Sequence, residues 1–134
     1  MLATGPYPPL RHPMAKILIV DDDSGLLSLQ KAVLAGAGHE IMTAGNGVEA
    51  LAAIKATNFD LMITDVMMPE KDGLETIAHL RRENPRLKII AVSGGGMVAP
   101  ENYLDMARKL GAVQTLAKPY TADQFMKVVA KVLG

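Results

Sequence analysis

From Lys16 onward, five short apolar runs alternate with segments of helical period, about twenty to thirty residues apart. The runs are Lys16 to Val20, Glu40 to Thr43, Asp60 to Thr64, Lys88 to Val92 and Val113 to Ala117. Several are rich in Ile and Val without polar alternation, the pattern of parallel strands covered on both faces. Between them, Leu26, Leu29, Val33 and Ala37 line one stripe of a first helix, and Asn46 with Glu49 has capping-box spacing at the start of a second. A third helix is predicted over Gly73 to Arg82, with Pro85 ending it. A fourth has Pro100 in its first turn and is closed by Gly111 after Leu110. Thr121 and Gln124 make another capping box. They open a fifth helix whose Phe125, Val128, Val129 and Val132 fall at i, i+3, i+4 and i+7, so this helix packs on the sheet. Five strand–helix units predict an α/β fold, a doubly wound open sheet of five parallel strands with helices on both faces.

Residues 1–14 stand apart. They hold four of the eight prolines and little that packs, so they are expected to be a disordered leader, with a single domain over 15–134. A chain of 134 residues buries about two thirds of its unfolded surface, enough for one core, and no second, output domain is expected. Fourteen basic residues balance 14 acidic ones, so neither nucleic acid nor an anionic membrane is an expected partner. The absence of cysteine excludes disulfides, thiolate metal sites and cysteine nucleophiles. With neither an apolar stretch of spanning length nor a secretory signal, the expected location is the cytoplasm.

In a doubly wound sheet, ligands bind beyond the carboxyl ends of the strands. That rule selects Asp21, Asp22 and Asp23 after the first strand, Asp65 after the third, Ser93 after the fourth and Lys118 after the fifth. So many carboxylates at one rim repel each other unless a cation sits among them, and a hard divalent ion such as Mg²⁺, which accepts one or two carboxylates and keeps waters, suits an open acidic cup. Asp23 is read instead as the cap of the first helix. Asp65 is the natural nucleophile toward a phosphoryl group, giving an aspartyl phosphate. Lys118 can supply an ammonium and Ser93 a hydroxyl donor to the transferred group.

The segments ILIVDDD, LMITDVMMPEKDGLE, IIAVSG and LAKPY, in this order and spacing, resemble those of two-component response regulator receiver domains over residues 16–134. The resemblance implies a flavodoxin-like (βα)5 fold with strand order 2-1-3-4-5. It also implies a stand-alone regulatory phosphoacceptor rather than a turnover enzyme, phosphorylated at Asp65 by a histidine kinase or histidine phosphotransfer protein. Mg²⁺ would be held by Asp22, Asp65 and the backbone carbonyl of Met67, with Asp21 nearby through water. Ser93 and Lys118 would contact the phosphoryl group, the Lys118–Pro119 bond would be cis, and the amide of Met67 or Val66 with that of Gly94 would complete the cradle. Pro69 and the Asp72–Gly73 pair read as turn chemistry.

A phosphoryl group adds about −1.5 to −2 charges and would draw in Ser93, moving the loop after the fourth strand. The helix four, strand five and helix five face would then bind a downstream protein, or a second copy once phosphorylated. Two features depart from the family pattern. Thr115 stands where an aromatic usually swings between two rotamers, which puts that readout in doubt, and Tyr103 is better read as a half-buried helix residue than as its substitute. Ser93 is followed by three glycines, Gly94, Gly95 and Gly96, so the loop is expected to be mobile before phosphorylation and ordered after it. Met67 and Gly95, at the positions flanking the site, carry no polar group to orient water, so slow self-dephosphorylation is expected. A Mg²⁺-dependent phosphohydrolase is a poorer fit, because Asp21-Asp22-Asp23 is followed by Ser24-Gly25 and there is no cap domain. A flavin phosphate would be repelled by the aspartates.

Overall fold

The computed structural model describes residues 15–66, 73–93 and 100–134. Strands β1 (Lys16–Val20), β2 (Glu40–Ala44), β3 (Leu61–Asp65), β4 (Lys88–Ser93) and β5 (Gln114–Ala117) alternate with helices α1 (Ser24–Gly36), α2 (Gly47–Ala56), α3 (Gly73–Glu83), α4 (Pro100–Leu110) and α5 (Ala122–Leu133). The strands form one parallel sheet in the order β2-β1-β3-β4-β5. The expected doubly wound α/β architecture and the 2-1-3-4-5 order both hold.

Side chains alternate across the strands and feed two cores. Leu18, Val20, Met62, Ile89 and Ala91 pack with Ala50, Ile77, Leu80, Leu104 and Ala107 of α2, α3 and α4. Ile17, Ile19, Leu61, Ile63, Ile90 and Val92 pack with Leu34 of α1 and Phe125, Val129 and Val132 of α5. Helix α5 therefore lies on the sheet as its periodicity requires, and its capping box is complete: Thr121 Oγ1 accepts from Gln124 N and Gln124 Oε1 accepts from Thr121 N. The box on α2 is only half formed. Asn46 Oδ1 accepts from Glu49 N, but the Glu49 carboxylate accepts from Gly45 N, one residue before the cap.

Two packing expectations need correction. β2 is an edge strand, with Glu40, Met42 and Thr43 exposed, so it is not covered on both faces. In α1 the fully buried residues are Gln30 and Leu34, with Leu27 and Val33 partly buried against the core, while Leu29 is 62% exposed. The helix carries two interleaved stripes, and the polar Gln30 broke the one that is buried. Leu26 and Leu29 border a groove toward α5, which Val33 also lines. No helix among the described residues is long and apolar enough to cross a membrane.

Candidate functional site

The switch point lies between β1 and β3, where the chain leaves in opposite directions. Val20 pairs with Thr64, so the next residues, Asp21 and Asp65, emerge side by side. Ser93 pairs with Ala117, which brings Lys118 to the same rim. Asp65 and Ser93 are the last residues of their strands rather than the first beyond them. The ladder continues past them, with Val66 N donating to Val92 O (3.0 Å) and Lys118 N donating to Ser93 O (2.8 Å).

Asp21, Asp22 and Asp65 each offer a carboxylate oxygen, and these lie within 4.8 Å of one another. Asp21 and Asp65 are buried and Asp22 is exposed, which leaves the cluster open on one side. Lys118 Nζ reaches into it, donating to Asp65 Oδ2 at 2.9 Å and to Asp21 Oδ2 at 3.1 Å. The formal charges of three carboxylates and one ammonium leave two negative charges in excess, which one divalent cation would balance. An all-oxygen, carboxylate-rich and partly open donor set fits Mg²⁺. Burial alone would lower the Lys118 pKa, but the bonds and charges of Asp65 and Asp21 outweigh it and hold the pKa above 10.5. The ammonium therefore keeps its proton at neutral pH.

Asp23 serves as the N-cap of α1, as expected, its Oδ1 accepting from Gly25 N (3.0 Å) and Leu26 N (3.1 Å). Asp21 Oδ1 in turn accepts from Asp23 N (2.9 Å), so the cap and the acidic cluster are joined through one backbone amide. Ser93 is fully buried, and its Oγ has no hydrogen-bond partner among the described residues. Such a hydroxyl fits a site whose acceptor arrives with the ligand, as a phosphoryl oxygen would. The Lys118–Pro119 peptide is cis.

One cradle expectation fails: the Val66 amide is spent on Val92 O within the β3–β4 ladder, so it is not available to a phosphoryl oxygen. The alternative, Met67, lies outside the described residues, as do Pro69, Asp72, Gly94, Gly95, Gly96 and the side chain of Tyr103. Thr115, at the position of the family's aromatic, has its Oγ1 bonded by Arg108 Nη2 of α4 at 2.6 Å, and Arg108 Nη1 also bonds Asp105 (2.9 Å). β5 is thus tied to α4 by a polar contact rather than by ring packing.

Three contacts escaped the sequence pattern, two of them at the site and one, that of Arg81, at the opposite, amino-terminal end of the strands. Gly73 opens α3 directly against the β3 terminus, where a Cβ would meet Asp65 O at 2.3 Å and Val66 Cα at 2.5 Å, so glycine is there for close approach and not for a turn alone. Arg81 of α3 bonds Gly111 O at the end of α4 (2.5 Å) and Pro85 O (3.0 Å). Gln30 of α1 donates from Nε2 to the hydroxyl of Tyr120, two residues beyond Lys118. Burial raises the Tyr120 pKa above 10.0, the charges of Asp21 and Asp65 add to the rise, and the Gln30 bond and Lys118 charge oppose it.

A doubly wound sheet carrying an acidic cluster and a lysine at its switch point defines a receiver-type domain. The chain belongs to the response regulator receiver domain family, whose model matches residues 17–130. It is 34% identical over 118 residues to the transcriptional regulatory protein ZraR of Salmonella typhimurium, covering 88% of this chain and 26% of that protein. It is also 34% identical over 123 residues to the DNA-binding transcriptional regulator NtrC of Azospirillum brasilense, covering 90% and 24%. The chain thus spans about a quarter of the length of these curated relatives. Among solved structures it is similar to a CheY-like receiver domain protein from Methanospirillum hungatei, with a TM-score of 0.82, 27% identity, and coverage of 90% and 94%. The response regulator TrrA of Thermotoga maritima, solved in complex with Mg²⁺ and BeF, gives a TM-score of 0.78, 33% identity, and coverage of 89% and 99%.

Proposed function

We propose that the domain is a Mg²⁺-dependent phosphoacceptor switch in two-component signalling, with Asp65 as the acceptor. The observation that carries this reading is the convergence of Asp21, Asp22, Asp65 and Lys118 at one rim. Asp22, Asp65 and the Met67 carbonyl would ligate the ion. Asp21 would act through water, a role supported by its two oxygens already accepting from Asp23 N and Lys118 Nζ. The ion supplies charge neutralisation at the phosphoryl oxygens.

A carboxylate oxygen of Asp65 attacks the phosphorus of a phosphohistidine on a kinase or phosphotransfer protein. The P–O bond forms as the P–N bond breaks, and the imidazole leaves with a proton taken from solvent. Lys118 then exchanges a carboxylate for a phosphoryl oxygen, and the buried Ser93 hydroxyl gains the acceptor it lacks. The cytoplasm, where kinase and nucleotide meet, is the compartment this chemistry requires. Signal leaves through the face of α4, β5 and α5, toward a protein target or a second copy, and the Arg108–Thr115 bond lies on that face.

The test is mass spectrometry after incubation with acetyl phosphate and Mg²⁺. One phosphoryl group is expected on the native chain and none on Asp65→Asn. A native chain that stays unlabelled, or a variant labelled equally well, refutes the assignment.

A further inference from the structure

We propose that Gln30 and Tyr120 are positioning residues for Lys118, and that the hydrogen bond between them sets how fast Asp65 accepts a phosphoryl group. This rests on the reading of Asp65 and Lys118 given above.

The segment 118–120 is anchored at three places. Its start is fixed to the end of β4 by Lys118 N donating to Ser93 O at 2.8 Å. The Tyr120 ring stacks on Phe125 of α5, with centroids 5.6 Å apart and planes 18° from parallel. The Tyr120 hydroxyl is held by Gln30 Nε2, the link to α1. Between these anchors the Lys118 ammonium reaches back to Asp65 and Asp21.

Stacking on Phe125 leaves one side of the ring open. A cavity of about 290 Å³ runs between α1 and α5, lined by Leu26, Leu29, Val33, Gln30, Lys118 and Tyr120 among others. A ring beside such space has room to shift, and the Gln30 bond adds a directional restraint to the stacking on Phe125. Nor does the bond exist for stability. Gln30 is 3% exposed, in the stripe it shares with Leu34, and its Oε1 has no hydrogen-bond partner among the described residues. Burying an amide half satisfied costs as much as one neutral hydrogen bond returns, or more, and a leucine would pack there without that cost. A buried amide that stability does not call for, one hydrogen bond from the lysine segment, is better explained by the geometry it imposes.

The experiment compares Gln30→Leu, Tyr120→Phe and the double variant with the native chain, reading the rate of labelling by acetyl phosphate at saturating Mg²⁺, the Mg²⁺ affinity and the thermal midpoint. Each single variant is expected to label about tenfold more slowly, because loosened positioning costs rate steeply. The double variant should be no slower than either single one, since both remove the same bond. Mg²⁺ affinity should stay within about twofold, and Gln30→Leu should melt at or above the native temperature. A purely structural role would lower the midpoint and leave the rate of the folded protein alone. Tyr120→Phe removes one oxygen and keeps the ring, so it decides the matter even if Gln30→Leu folds poorly. Native labelling rates in Tyr120→Phe overturn the proposal, whereas failure of the native chain to label overturns the acceptor assignment itself.

Discussion

Replacing Gly73 with alanine sets two effects of opposite sign against each other. Alanine narrows the unfolded ensemble and favours the native state by about 0.4–1 kcal/mol where its Cβ fits. Here it does not fit. The added carbon would lie 2.3 Å from the carbonyl oxygen of Asp65 and 2.5 Å from Val66 Cα, against a practical floor of 3.0 Å for such contacts. The obstacles are backbone atoms, and β3 is buried along its whole length and bonded to β1 and β4 on either side, so no side chain can turn away to make room. Either α3 or the end of β3 must shift by most of an ångström. Overpacking of this kind costs about 1–3 kcal/mol, and a rigid partner places it toward the upper end, so the net loss is about 2 kcal/mol. For a domain of this size that lowers the melting temperature by roughly 6 °C. Because the clash presses on the acceptor's own carbonyl, labelling of Asp65 by acetyl phosphate should slow at least about tenfold. Calorimetry and timed mass spectrometry measure the two effects, and Gly36→Ala is the control, since nothing lies within 4 Å of its Cβ. A Gly73→Ala protein that melts and labels like the native chain would refute the argument.

Lys118→Met strands two buried carboxylates without their ammonium and should cost about 3 kcal/mol when divalent ions are absent. Added Mg²⁺ should raise its midpoint more than it raises the native one, because the ion no longer competes with an amine; equal shifts in titrations followed by calorimetry would contradict this. Asp23→Ala removes a cap and should lose about 1 kcal/mol in urea unfolding while Mg²⁺ affinity stays the same; a large loss of affinity would make Asp23 a ligand instead. The pKa values of Lys118 and Tyr120 both lie above their ordinary 10.5 and 10.0, so the fold holds these protons more tightly than the unfolded chain does. Their contribution is complete below about pH 10 and is lost as pH rises through the folded values. Denaturant midpoints should therefore fall more steeply above pH 10 in the native chain than in Lys118→Met/Tyr120→Phe, and parallel curves would rule this out.

Most of the fold was legible because parallel strands announce themselves as unbroken Ile and Val runs, and because caps such as Thr121 with Gln124 mark where helices begin. The candidate site was legible for a simpler reason: position at a strand end is a one-dimensional property, and Asp21, Asp22, Asp65, Ser93 and Lys118 all lie at or just past one. What sequence could not give is contact between elements. The Leu-rich α1 offers two stripes, and the one that packs on the sheet is interrupted by the polar Gln30, so the apolar pattern alone points to the other. Gly73 looks like any turn glycine until the β3 backbone is seen against it. The free amide expected at Val66 disappeared because the β3–β4 ladder runs one bond further than the apolar run suggested. The Arg108–Thr115 pair is likewise invisible, since neither residue type signals the other across a helix and a strand.

β3 is the middle member of its sheet, held by a neighbour on each flank and sealed from solvent over all five of its residues. The proposed acceptor therefore stands on the strand of the sheet that is buried along its whole length. A charge added there would find no compliant ground beneath it, and the deformation it demanded would pass sideways, toward strands held on one flank only. On the proposed reading, reaction and response would fall to different mechanical regimes of one small body: a stiff keel to receive the charge and the outlying strands and helices to register it.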